Sequence, residues 1–321
     1  MEEIKCKTLE LLSQNCRIST AEIAKRIKKP RHLVAYHRDQ FHKKHIILNH
    51  EVLLNYSCLG YTEYLVYLKI FQYSKIKQDL QKTIAAHPNV RWYGEVFPNY
   101  TVRICVLAKD IREFEVFMNH LEELHGKHIS KKDILLQRSY LKTESYSTRT
   151  IVPKKNYSEM ELNDSDKKLI TSLDKDASQS LVTLSKESGL SIETVRQKIK
   201  RYQESGLIEN FSTKFDIRKL GHHFWCNLML KLNNMNHHEE RLKTLIHSDV
   251  KFGRTRKTFG TWNIEMTVFG ESYKHMHHVI EQLEDFFGDD LESHEIHIYK
   301  GNLLPTRLPN VIFGKEEKNN N

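Results

Sequence analysis

Two apolar patterns recur along the chain, 161 residues apart. Leu9, Leu12, Ile23, Val34, Phe41, Ile46 and Ile47 fall on Ile170, Leu173, Leu184, Val195, Tyr202, Leu207 and Ile208 without a gap. The Leu59-Gly60 pair falls on Leu220-Gly221, and one residue of slippage brings Leu68-Lys69-Ile70 onto Leu230-Lys231-Leu232. A repeat of half the chain is too long for a solenoid unit and reads as a duplicated two-domain module. In each copy the apolar period before the Leu-Gly pair is helical, and the period after it mixes strands with helices.

The second copy carries the cleaner helix signals. Asn163 to Asp166 offers caps before Leu169, Ile170 and Leu173. Ser180 caps a short second helix that Gly189 closes. Ser191 caps a third, Ile192 to Glu204, with Val195, Ile199 and Tyr202 on its inner face. Gly206 ends it, and Leu207-Ile208 opens an extended segment of the kind that forms a wing. Three short helices with a tight turn before the third predict a helix-turn-helix. In the first copy, Ser19 or Thr20 caps helix two, Lys28-Lys29-Pro30 makes the turn, and helix three runs from Arg31 to about Lys44.

After each Leu-Gly pair the order predicted is βαββαβ, a ferredoxin-like sheet with helices on one face. The first copy places strands at 61–72, 90–97 and 102–106 and opens a last one at Ile134, with helices from Ser74 and Asp110. The second places strands at 222–232, 250–259, 262–269 and 293–300, with helices at 237–247 and 272–287. The other face of each sheet needs a partner, which another copy of the module supplies. The expected fold class is α+β. Winged helix-turn-helix domains at 1–55 and 158–215 alternate with ferredoxin-like domains at 56–140 and 216–305. A polar, Pro-broken linker at 141–157 joins the copies, and a tail at 306–321 ends in a charged stretch expected to be disordered.

Charge then narrows the partner. Lys+Arg number 50 and Asp+Glu 41, a net charge of +9, which favours polyanions. The candidate DNA contacts in the second copy are Ser191, Glu193, Thr194, Arg196, Gln197, Lys200 and Arg201. Arg and Gln near a helix start suit base edges, and later Lys and Arg suit phosphates. The first copy offers Arg31, His32, Tyr36, Arg38, Lys43 and Lys44. Residues 29–44 hold five cations against Asp39, and residues 190–206 hold four against Glu193 and Glu204, so the nets are 5 − 1 = +4 and 4 − 2 = +2. On that count the first helix grips phosphates harder.

No stretch approaches the ~18 unbroken apolar residues of a membrane span, so no membrane partner is expected. The start, Met1-Glu2-Glu3, is acidic and leads into an amphipathic pattern, which argues against a signal peptide. Five dispersed cysteines without a CxxC argue against a disulfide framework or a cysteine zinc site. A cytoplasmic, nucleoid-associated protein is the expectation. His275, His277 and His278 crowd one helix and His237 and His238 another, yet no carboxylate or cysteine pairs with them, which favours exposed histidines over a metal site. No cofactor is expected.

Taken together, a winged helix-turn-helix followed by a βαββαβ module resembles the Lrp/AsnC (feast/famine) transcriptional regulators, twice over and across nearly the whole chain. Gly189 to Ile208 matches the family's turn, recognition helix and wing entry; Val34 to Arg38 and His45-Ile46-Ile47 match more loosely. Fused tandem copies look most like archaeal members. The resemblance implies a non-enzymatic, sequence-specific DNA-binding regulator acting on double-stranded DNA. It also implies a homodimer or higher oligomer through the sheet domains (RAM-type in this family), and in some members a small-molecule effector. The turns Phe97 to Tyr100 and Phe259 to Trp262 resemble the effector-domain turn, which makes Asn99, Tyr100, Thr101, Gly260, Trp262 and Asn263 candidate effector contacts. Thr101 and Asn263 stand where many members have an acid, which argues against a free amino acid as ligand. Some relatives of this architecture are sirohaem decarboxylases, and Arg254 and Arg256 before the second turn keep that enzyme as an alternative. The equivalent stretch Trp92 to Glu95 offers no histidine. An architectural DNA-binding role is the other alternative.

Overall fold

The computed structural model describes residues 2–143, 159–304 and 308–314. Each copy opens with three helices, α1 (Glu2–Gln14), α2 (Thr20–Ile27) and α3 (Arg31–Lys43), then α6 (Asp164–Lys175), α7 (Leu181–Ser188) and α8 (Ile192–Ser205). Their apolar stripes meet in two cores, one around Leu9, Leu12, Ile23, Val34 and Phe41, the other around Ile170, Leu173, Leu184, Val195 and Tyr202. The caps are those the sequence predicts: Ser19, Ser180 and Ser191 accept from Glu22, Thr183 and Thr194 amides. Gly189 and Gly206 end α7 and α8 at φ 72° and 85°, a conformation that favours glycine.

The strand after each helix-turn-helix crosses to the other copy. β1 (Ile47–Leu54) pairs antiparallel with β6 (Ile208–Phe215), with Glu51 opposite Ser212. A lone strand would leave its amides unpaired, and each strand finds its partner in the equivalent strand of the other copy. Four bonds tie the halves in symmetric pairs. Cys16 N donates to Phe211 O at 2.7 Å and Ala177 N to His50 O at 3.1 Å; Asn55 N donates to Leu207 O at 2.9 Å and Asp216 N to Ile46 O at 2.8 Å. Val52 and Leu54 of β1 bury in the second copy's core, and Phe215 of β6 buries in the first copy's core.

The remaining elements are two βαββαβ units. In the first, β2 (Thr62–Ile70), α4 (Tyr73–Ala86), β3 (Val90–Phe97), β4 (Val102–Ala108), α5 (Ile111–His125) and β5 (Ile129–Lys142) follow in order. In the second come β7 (Phe224–Leu232), α9 (Met235–Ser248), β8 (Phe252–Phe259), β9 (Ile264–Gly270), α10 (Tyr273–Phe287) and β10 (Leu291–Leu304). Each sheet buries one face under its own helices. The other faces close on each other in one eight-stranded barrel, β10-β3-β4-β2-β5-β8-β9-β7, sealed where β5 meets β8 and β10 meets β3. The uncovered sheet face that the sequence left in need of a partner is thus covered within the same chain.

Tyr67, Tyr100, Leu135, Met229, Trp262 and Tyr299 fill the barrel. A buried charge network sits among them: Arg103 bonds Glu265 at 2.9 Å, Arg256 reaches Glu265 at 3.2 Å, and Arg91 bonds Glu63 at 2.7 Å. Burial pushes the Glu265 carboxyl up, but the Arg103 and Arg256 guanidiniums outweigh it and hold it below the usual range.

Two expected boundaries shift. β5 runs through Lys142, past the start expected for the linker, because Lys142 Nζ is buried and donates to Ile246 O at 2.7 Å and Phe252 O at 2.6 Å. Residues 144–158 of the linker lie outside the described residues. Part of the expected tail is structured: a short helix, α11 (Asn310–Phe313), donates from Val311 N to Pro88 O at 3.0 Å and buries Ile312 in the second helical core. The charged end, 315–321, lies outside the described residues.

Candidate nucleic-acid interface

Recognition helix α8 projects Glu193, Arg196, Gln197, Lys200 and Arg201 from its exposed face. Glu193 binds both Arg196 and Gln197 along the helix, which neutralises the arginine and orients it in the free protein. Lys200 reaches Glu204 at 3.6 Å across solvent, a contact of little energetic weight. Ser191 and Thr194 are engaged with each other at the cap, Oγ to Oγ1 at 2.8 Å. Behind the helix Asp166 takes Lys198 Nζ at 2.5 Å and the Tyr202 hydroxyl, and completes a capping box with Asn163. Burial raises this carboxyl, and the bonds from Lys198, Tyr202 and the Asn163 amide more than offset it, leaving it below its usual value. Lys198 thereby braces the helix from behind.

α3 shares the frame with different chemistry. Arg31, His32, Tyr36, Lys43 and Lys44 are exposed, as expected. Arg38 is not: it occupies the place of buried Ile199, and its guanidinium turns inward to donate to Ile18 O at 3.2 Å and Thr20 Oγ1 at 3.1 Å. Lys43 pairs with Asp39 at 2.8 Å. The surplus charge expected of the first helix is therefore cut by the cation that folds inward. The sequence offset held the signal, because position 199 is apolar in the second copy and an arginine there must snorkel or bond.

The candidate effector residues do not converge. Tyr100 and Trp262 are buried in the barrel, and Tyr100 donates its hydroxyl to Asp133 at 3.2 Å. Thr101 Oγ1 accepts from Ile70 N at 2.9 Å, and Asn263 brackets Leu232 with bonds of 2.9 and 2.6 Å. The residues standing where many members have an acid are thus strand fasteners here. Asn99 lies at the first turn, beside Glu295. Gly260 at φ 142° lets its turn lie on β5, since a Cβ there would come within 2.7 Å of Leu135 Cδ2. Gly260 and Asn263 do border a cleft of about 960 Å³ with Arg138, Met235, His237 and Lys257. Of those four the sequence marks only His237, and that as one of a histidine pair. At the matching place in the first copy Tyr73 stands where Met235 does and donates to Glu95 at 2.8 Å, with Lys77 on the same carboxylate at 2.5 Å.

The histidine-rich helices spread their side chains. His237 and His278 are exposed, His278 lies 3.3 Å from Glu281, and His238 lies buried against Asp290 at 2.8 Å. Among the described residues no helix is long and apolar enough to cross a membrane.

Residues 162–209 match a family model described as winged helix-turn-helix DNA-binding. The chain is 24% identical over 148 residues to the HTH-type transcriptional regulator FL11 of Pyrococcus furiosus, covering 46% of this chain and 96% of that protein. It is 26% identical over 115 residues to the regulatory protein AsnC of Haemophilus influenzae, covering 36% of this chain and 76% of that one. These matches support a regulator of the Lrp/AsnC type. The FL11 match spans about half the chain, as a duplicated family unit requires. The fold of the whole tandem is also that of the sirohaem decarboxylase NirDL, with a TM-score of 0.65 over 95% of this chain and 94% of that one at 12% identity. The fused pair fixes two unlike helix-turn-helix units in one frame.

Proposed function

We propose that this protein is a sequence-specific DNA-binding transcriptional regulator in which one chain supplies both halves of the DNA-reading unit. The observation that carries the proposal is the symmetric set of bonds joining β1 and β6 to the opposite helical module. Two recognition helices fixed about a pseudo-twofold axis suit two half-sites about one helical turn, ~34 Å, apart or a multiple of it. The DNA contacts are Arg31, His32, Tyr36, Lys43 and Lys44 from α3 and Glu193, Arg196, Gln197, Lys200 and Arg201 from α8. Because the sheet faces already cover each other, association into homodimers or higher oligomers falls to outer surfaces, such as exposed Phe97 and Phe259 at the turn tips. Any effector belongs in the second-copy cleft beside Arg138 and Lys257.

The test is binding of the purified chain to its own upstream DNA and to a scrambled duplex, from about 50 to 200 mM salt. Tighter binding upstream with a steep salt slope supports the regulator. Equal binding with the same slope overturns sequence specificity and points to an architectural role. A second reading has one observation in its favour: the cleft is large and bordered by Arg138, His237 and Lys257, on a fold shared with a tetrapyrrole enzyme. An absorbance titration with an iron porphyrin separates the two. A saturable spectral shift abolished by His237→Ala supports the enzyme, and an unshifted spectrum removes it.

A further inference from the structure

The two recognition helices present different chemistry at equivalent places. With the 161-residue offset, Ala35 and Tyr36 of α3 stand where α8 has Arg196 and Gln197, and Asp39 stands where α8 has Lys200. All six are exposed. Tyr36 is 55% exposed, and its ring rests edge-on against that of His37 with centroids 5.5 Å apart, so its bearing is fixed by a buried neighbour. Half-buried Leu33 takes the place of Thr194. Arg38 is bound inward to Ile18 O and Thr20. Asp39 is neutralised by Lys43 at 2.8 Å, so it does not drive a phosphate backbone away.

The major-groove edge of each base pair has its own donors and acceptors, and thymine alone adds a methyl group. Arginine suits guanine and glutamine suits adenine, whereas a small apolar or aromatic side chain suits that methyl. We propose that α3 reads thymine methyl groups through Ala35 and Tyr36, while α8 reads purine edges through Arg196 and Gln197. A single chain then recognises a site whose halves differ in kind, the α3 half being A·T-rich. The proposal rests on the DNA-binding reading above and assigns the source of its specificity.

The experiment starts by selecting sites from a random duplex library with the full chain. Each thymine of the selected site is then replaced in turn by deoxyuridine, which removes only the methyl group, and affinity is remeasured. The expected result is about a fourfold loss at one or two thymines of one half-site, the worth of a buried methyl at ~0.8 kcal/mol. Tyr36→Ala should erase that thymine preference and leave the guanine preference of the other half intact; Arg196→Ala should do the reverse. Both side chains are exposed, so both variants keep their cores. Grafting Ala35→Arg with Tyr36→Gln should convert the α3 half to the sequence of the α8 half. Equal affinity for thymine and deoxyuridine at every position overturns the proposal while leaving the regulator reading in place. Failure to select any site overturns the regulator reading and the proposal together.

Discussion

At the scale of residues, position within the frame decides role more than residue type does. Arg196 and Arg38 are both arginines of a recognition helix, yet one faces solvent and the other fastens the helix to the start of α2. Arg196→Ala should therefore relax base preference at a cost of about 1–3 kcal/mol, whereas Lys43→Ala should weaken binding to every sequence and flatten the salt slope by about one unit. Titrating both variants against site and non-site duplexes at several salt concentrations separates the two effects. Identical losses on both duplexes would remove the assigned roles. Asp166 makes the clearest stability case. Replacing it with alanine leaves Lys198 and Tyr202 without their shared acceptor and should cost about 1.5–3 kcal/mol in urea unfolding. Its folded carboxyl titrates below its ordinary 3.8, so its contribution is full above that value and fades as the pH falls through the folded one. Wild type and Asp166→Ala should accordingly converge in stability in acid; a constant difference down to low pH would contradict the pairing.

Elements behave as exchanged pairs. β6 buries Phe211 in the second helical core, and its carbonyl takes the Cys16 amide of the first copy, with Arg17 over the ring at 5.5 Å. Phe211→Ala should cost about 3–5 kcal/mol, the usual range for a buried phenylalanine. Because the strand serves both copies, the loss should lower protection of amides in α1 as well as in α8 in hydrogen exchange. Protection lost in α8 alone would show the two modules to be independent. This exchange also explains why the sequence shows each strand but not its partner. Alternation along Ile47–Leu54 marks a strand, whereas the strand it pairs with lies about 160 residues away.

Across the whole molecule, the closed barrel sets the geometry of everything attached to it. Its core holds an ion pair, Arg103 to Glu265, that joins the two copies. Glu265→Gln strands buried cations and should cost about 3–5 kcal/mol. Replacing Arg103 and Glu265 together with methionine should cost less than the two single losses summed, since each single change strands the other's charge, while Arg256 keeps Glu63 and Gln137. A double-mutant cycle by urea unfolding gives both numbers, and a pair of additive losses would count against the link.

The repeat, the helix-turn-helix layout, the βαββαβ order and the outward face of α8 are all legible along the chain. Each rests on local periodicity, caps and glycine stops, which act over a few residues. The sequence also held the offset that places Ala35 opposite Arg196, although a count of charges alone pointed elsewhere. The folded chain adds that the sheets close on each other within one chain, that β1 and β6 pair across the two copies, and that Arg38 and Lys142 turn inward. It likewise shows the second-copy cleft beside Arg138 and Lys257, and Tyr73 bonded to Glu95 at the matching place in the first copy. These outcomes depend on which distant surface covers an apolar face or satisfies a buried donor, and a pattern read along one strand or helix does not contain that surface.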